Sequence, residues 1–189
     1  MTMRRFRRQR RRPAPTTDRR SPEQRLEAMI SEKNEDRRWR MFSRIHYDLD
    51  STQDIGPWMN GLSTLRDRLL ISEDETYYLA ATLAESALYG AQRDPDLDRM
   101  SDELKAIEAA NGLSEDEGYD VDDAPDDWRA LNTAWEARAD EVMADWMRKA
   151  GMGDIATAFL EEPAKFEDRA SAGRQRLFPD PIEDPSSDR

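Results

Sequence analysis

The sequence predicts an all-α protein. Three observations carry that expectation: only two Val stand against twenty-two Ala and fifteen Leu, apolar residues recur at steps of three and four, and Ser, Asp and Pro sit where helices begin. Ala, Leu, Met, Glu and Arg lose little side-chain freedom in a helix, whereas sheets draw on β-branched residues. The architecture expected is an irregular bundle of about five to seven helices over residues 21–178. An arginine-rich arm, 1–20, precedes it, and a tail rich in Pro and Asp, 179–189, follows.

Ser21-Pro22-Glu23-Gln24 reads as a helix start, with Ser as N-cap, Pro at the first helical position and Gln reaching back. Leu26, Met29 and Ile30, then Met41, Phe42, Ile45 and Leu49, keep helical spacing, but the charged stretch 31–38 interrupts the stripe. One long helix with a solvated middle, or two helices, satisfies that pattern. Ile55-Gly56-Pro57 marks a break, after which Trp58, Leu62, Leu65 and Leu69 share one face of a short helix. Ser72-Glu73-Asp74-Glu75 supplies a second capping box for a helix through Tyr78, Leu79, Leu83 and Leu88 that ends near Gly90.

Asp96 precedes a stripe of Leu97, Met100, Leu104 and Ile107, closed by Asn111-Gly112. Residues 114–127 are acidic and without helical period, so they read as a loop, and Asp126 or Asp127 is placed to cap the helix that follows. That helix carries Trp128, Leu131, Trp135, Ala139, Val142, Trp146 and Ala150 on one side, the clearest stripe in the chain and the expected nucleus of the core. Asp154 to Glu161 makes a short helix, and Pro163 opens another through Phe166 toward Gly173. Three prolines between 179 and 189 exclude a helix there.

At 189 residues the chain fits one domain. With a mean hydropathy of -0.98 and only 29 residues of Leu, Ile, Val and Phe, aliphatic side chains are scarce, so nine Met, five Trp and five Tyr must fill much of the core. The absence of cysteine removes disulfides, thiol nucleophiles and thiolate metal sites, and a reducing cytoplasm fits. No run approaches the roughly eighteen apolar residues of a membrane span. Arg4-Arg5 near the start lacks the apolar segment that an export signal needs, so export is not expected.

Charge is sharply segregated. Residues 1–20 hold nine arginines against Asp18, a net of +8, within a chain whose total is -12, so the remainder holds -20. Arg4, Arg5, Arg7, Arg8, Arg10, Arg11 and Arg12 form the dense part, Phe6 lies among them, and Pro13 and Pro15 favour extended backbone. Guanidinium groups at this density attract phosphates by charge and by paired hydrogen bonds, and Phe6 offers a ring for base stacking. Nucleic acid or a nucleoprotein surface is therefore the expected partner, against a membrane surface or the protein's own acidic body. Arginine outnumbers lysine 25 to 4 throughout, so single arginines carry less weight than this cluster.

Other signals weigh less. Asp122-Asp123-Ala124-Pro125-Asp126 has the spacing of a magnesium-diphosphate motif, but Pro125 stands where such a motif needs continuous helix, and a solvated acidic loop is the simpler reading. Glu136 and Asp140, one turn apart, have the spacing of two ligands to one metal; Arg138 beside them points to surface charge pairing. His46 is the only histidine, which excludes a multi-histidine metal site; a role near a helix end is expected of it. Leu177 and Phe178 are either a short docking motif for a partner protein or the packed end of the last helix. No phosphate-binding loop, dinucleotide fingerprint, nucleophile elbow or zinc-protease motif is present, and no cofactor or catalytic residue is assigned. The functional expectation is a non-enzymatic interaction protein with a nucleic-acid-binding arm. The alternatives are a small all-α metal-dependent phosphate-handling enzyme and an acidic nucleic-acid mimic.

Overall fold

Ser21 and Ser72 cap their helices as their sequence context requires. The Ser21 hydroxyl accepts from the Gln24 amide at 3.2 Å while the Gln24 side chain accepts from the Ser21 amide at 3.1 Å. Ser72 and Glu75 make the same reciprocal pair at 3.3 and 2.7 Å. Two of the orphan amides at each helix start are thereby satisfied. The computed structural model describes residues 19–51, 54–90, 94–112 and 124–179, and among them there are eight helices and no strand. They are α1 (Pro22–Ser31), α2 (Glu35–Leu49), α3 (Gly56–Asp67), α4 (Glu73–Leu88), α5 (Pro95–Ala110), α6 (Asp126–Lys149), α7 (Gly153–Glu161) and α8 (Pro163–Leu177). The arm 1–18, most of the acidic loop (113–123) and the tail from 180 lie outside the described residues.

The fold is all-α and is organised around α4. Tyr77, Leu79, Ala80, Leu83, Ala84 and Ala87 are all buried, so this helix is covered on more than one side. It packs on α8, α3, α6 and α2. Its alanines allow those neighbours to come close without a rotamer cost. Residues 21–49 form two helices rather than one, broken at Glu32–Asn34, where the Asn34 side chain caps α2 through the Arg37 amide at 2.9 Å.

Four aromatic rings gather where α2, α4 and the end of α8 meet. Phe42 lies 4.9 Å from Phe178 and 5.9 Å from Tyr78, and Trp39 meets Phe178 edge-on at 5.1 Å. A smaller apolar cluster of Leu97, Ala139 and Val142, flanked by Leu88, Trp135 and Trp146, joins α5 and α6. There Trp128 donates to the Glu108 carboxylate at 3.1 Å and Trp135 to the Ser101 hydroxyl at 3.0 Å. The tryptophan stripe of α6 thus serves mainly the α5 interface. The centre of the main core is α4, not α6 as the stripe alone suggested.

Three helix ends depart from expectation. Pro125, not an aspartate, precedes α6 as its N-cap, and Asp126 and Asp127 fall inside the first turn, where their negative charge complements the positive end of the helix dipole. The N-cap of α5 is Asp94 rather than Asp96; its carboxylate accepts from the amides of Asp96 and Leu97 at 3.1 and 3.2 Å. Leu69 falls beyond the end of α3, at φ +56°, and is 88% exposed. The Leu70 amide bonds back to the Leu65 carbonyl at 3.0 Å, the closing bond of a Schellman turn whose left-handed position normally takes glycine. Gly151 fills the equivalent place after α6 with φ +82°.

The closest backbone approach at any described glycine is between α8 and the start of α4. A Cβ placed on Gly173 would lie 2.0 Å from the Asp74 carbonyl oxygen, so the two backbones touch only because this residue has no side chain. Gly173→Ala should cost about 1–3 kcal/mol of unfolding free energy in urea, whereas the exposed neighbour Ser171→Ala should change it by less than about 0.5 kcal/mol. Leu69→Gly should raise stability by about 0.5–1 kcal/mol by the same measurement, since left-handed strain is relieved and no buried area is lost.

Candidate functional site

The sequence puts the candidate site in the arm, and the structure describes only its root. Arg19 and Arg20 are exposed immediately before the Ser21 cap. Arg4, Arg5, Phe6, Arg7, Arg8, Arg10, Arg11 and Arg12 lie outside the described residues. The body that follows can be judged as a scaffold for chemistry or for contact.

Opposite charges on the body are largely matched. At the start of α4, Arg169 binds the Glu73 carboxylate at 2.7 Å and Asp74 at 3.1 Å, and Arg176 adds a second contact to Asp74 at 3.0 Å. The Arg169 hydrogen bond holds Glu73 below the ordinary glutamate range. Arg66 grips Asp154 through two nitrogens and lowers it in the same way, which ties α3 to α7. Burial alone would raise Asp94, but the Arg138 guanidinium at 2.7 Å and the amides of Leu97 and Asp96 outweigh it.

A crevice of about 370 Å³ opens beside that pair, between Asp94 at the start of α5 and the second half of α6. Its charged walls pair with each other, as Arg138 with Asp94, Arg148 with Glu141 at 3.7 Å and Lys149 with Asp145 at 2.6 Å. Among the described residues no three Asp, Glu or His side chains come together in a way that could hold a metal ion. Glu136 accepts from the Asn132 amide at 3.0 Å, and Asp140 is raised by burial and by the neighbouring charges of Glu136 and Glu141. Asp126 pairs with Arg129, while Asp122 and Asp123 lie outside the described residues.

Comparison with protein-family models, with curated proteins and with solved structures gave no match. The remaining site residues are therefore placed by geometry alone. His46 sits in the last turn of α2, but its ring turns inward: Nδ1 shares a hydrogen bond with the Ser86 hydroxyl and the ring stands edge-on to Phe42 at 4.3 Å. Leu177 and Phe178 are buried at 2% and 6% exposure. Of the two readings the sequence allowed for them, the folded chain has the packed one, and docking a partner there would require α8 to release its end.

No described helix is long and apolar enough to cross a membrane. Residues 94–149 carry eighteen Asp and Glu against six Lys and Arg, a net of -12. The helical parts of that segment keep Asp102, Glu103, Glu136 and Glu141 exposed. Sequence reasoning missed Glu85 on α4, a half-buried carboxylate that burial pushes up. Its neighbours in sequence, Ala84 and Ala87, mark that turn as buried, which was the available signal.

A raised value means that the ionised form is penalised in the folded protein. Its penalty is absent below the ordinary glutamate value of about 4.3 and grows as pH rises through the folded value. Glu85→Gln should accordingly raise the Tm at pH 7 and leave it unchanged near pH 4 by thermal melts followed by circular dichroism. A Tm lowered at both pH values would show that the carboxylate makes a favourable contact instead.

Proposed function

We propose that this protein is a non-enzymatic interaction protein whose N-terminal arginines bind nucleic acid, free or displayed on a nucleoprotein particle. The observation that carries the reading is the segregation of charge: +8 in residues 1–20 against -20 in the rest. A short cationic segment meets phosphates by paired guanidinium hydrogen bonds and by release of condensed counterions, with little regard for sequence. Arg4, Arg5, Arg7, Arg8, Arg10, Arg11 and Arg12 supply those contacts, and Phe6 stacks on a base.

The acidic body has a complementary task. Its net negative charge repels a polyanion, so the acidic parts of its surface stay clear of the strand and are left to face a protein partner or solvent. The enzymatic alternative draws no support from the described carboxylates, which pair with arginines or stand apart. The mimic alternative draws some from the exposed acids of α5 and α6. It differs from the proposal in needing no arm.

Deleting residues 1–12 should lower affinity for an RNA or DNA 20-mer at least a hundredfold at about 150 mM salt while leaving the helical circular dichroism and Tm of the body in place. Seven phosphate contacts to a single strand predict a log–log salt slope near -5 for the full chain, at about 0.7 per contact. Equal binding by the truncated protein would refute the assignment of the arm.

A further inference from the structure

Arginine on this body is mostly taken up internally. Nine described arginines, from Arg25 on α1 to Arg176 on α8, each have a carboxylate oxygen at 3.7 Å or less. Three others stand together along one face of α2. Arg37, Arg40 and Arg44, at steps of three and four, are all exposed, and among the described residues none of them has an ion-pair partner. Arg40 does no more than donate to the Asp36 carbonyl at 3.1 Å. Asp36 stands one turn before Arg40 on the same side of the helix without an ion pair to it, and Asp48, one turn after Arg44, is held by Arg25.

Beside this row stands an exposed aromatic. Trp39 is 48% exposed, and its ring is braced edge-on by Phe178 at 5.1 Å and by Phe42 at 5.8 Å. It lies about 100° around the helix from Arg40 and about 140–160° from Arg44 and Arg37, so Arg40 is the member of the row nearest to it. Burial of the rest of the ring would be favourable, and no described side chain accomplishes it. Guanidinium groups without ion-pair partners and a braced, exposed aromatic on the same helix, nearest to each other at Arg40 and Trp39, supply what single-stranded nucleic acid recognises: charge for the backbone and a flat surface for a base.

We infer that α2 carries a second nucleic-acid contact, in which Arg37, Arg40 and Arg44 bind successive phosphates of a single strand and Trp39 stacks on one of its bases. The inference rests on the proposed role of the arm and extends it onto the folded body. Arg37 and Arg44 are about 10 Å apart along the axis at 1.5 Å per residue, and their long side chains extend the reach of the row along a strand. The two contacts are joined: Arg25 pairs with Asp48, so the start of α1, from which the arm departs, lies near the end of α2 that carries Arg44. A strand held by the arm meets the row without a long gap.

The test compares the full chain, the chain lacking residues 1–12, R37Q/R40Q/R44Q and W39F, using fluorescence anisotropy of oligo(dT) and oligo(U) 20-mers across a salt series. Gln keeps helix propensity and Phe keeps the contact with Phe178. The triple variant should bind both strands at least tenfold more weakly at low salt, with the salt slope reduced by about 2, that is 0.7 for each of three phosphates. Tryptophan fluorescence of the full chain should be partly quenched on binding, and W39F should lose that quenching. Wild-type affinity and slope in the triple variant, with the arm deletion still defective, would overturn the α2 site and leave the arm standing. Absence of binding by the full chain would overturn both.

Discussion

The contact between Gly173 and the Asp74 carbonyl is the constraint on which the rest of the arrangement depends. It draws α8 against the first turn of α4, where Glu73, Asp74 and Glu75 stand at the positive end of the helix dipole. Arg169 and Arg176 close on those acids from α8, and the Arg169 guanidinium also lies over the Tyr77 ring at 4.4 Å. A steric fit, a charge pair and a cation–π contact therefore act at one point. With α8 fixed there, its end at Leu177 and Phe178 is laid across α2 and α4, and Arg38 secures it by donating to the Leu177 carbonyl.

That geometry divides the molecule into a well-packed centre and an outlying pair. The central helices share the larger apolar cluster, whose members include Leu26, Met59, Leu83, Met147 and Ile155. Outside it, α5 buries only Leu97 completely and leans on α6 through tryptophan side chains that each need a polar partner for the indole nitrogen. Less apolar area per residue is buried there, so the first part of α6 and α5 are expected to open before the centre does. Most of the negative charge sits on this less stable pair and the loop between its helices, which adds self-repulsion to thin packing.

What could be read from the sequence was local. The boxes at Ser21 and Ser72, the turn at Gly112 and the stripe of α6 all depend on residues within five positions of one another, and all occur. The centrality of α4 was not legible, because a helix buried on several sides shows little periodicity, and its neighbours are chosen by residues such as Gly173 about a hundred positions away. Leu69 was assigned to an apolar face because its spacing is right; the Schellman turn removes it from the helix two residues early. The same limit applies to the candidate site. The arm is visible as composition, but whether Arg37 is spare and Arg66 is bound turns on the position of Asp154, which spacing along the chain does not reveal.

In the proposed mode the arm and α2 differ in what binding costs them. Any segment that must be ordered to follow a strand loses backbone and side-chain freedom at every residue, which offsets a large share of its electrostatic gain. The row on α2 has its backbone fixed already and Trp39 braced by two phenylalanines, and only the arginine side chains must be ordered. Three phosphate contacts alone are too few for tight binding at physiological salt. Tethering changes that, since a strand captured by the arm is presented to α2 at the high effective concentration of a short linker. A weak, preformed surface then adds to the contact made by the arm without needing tight affinity of its own.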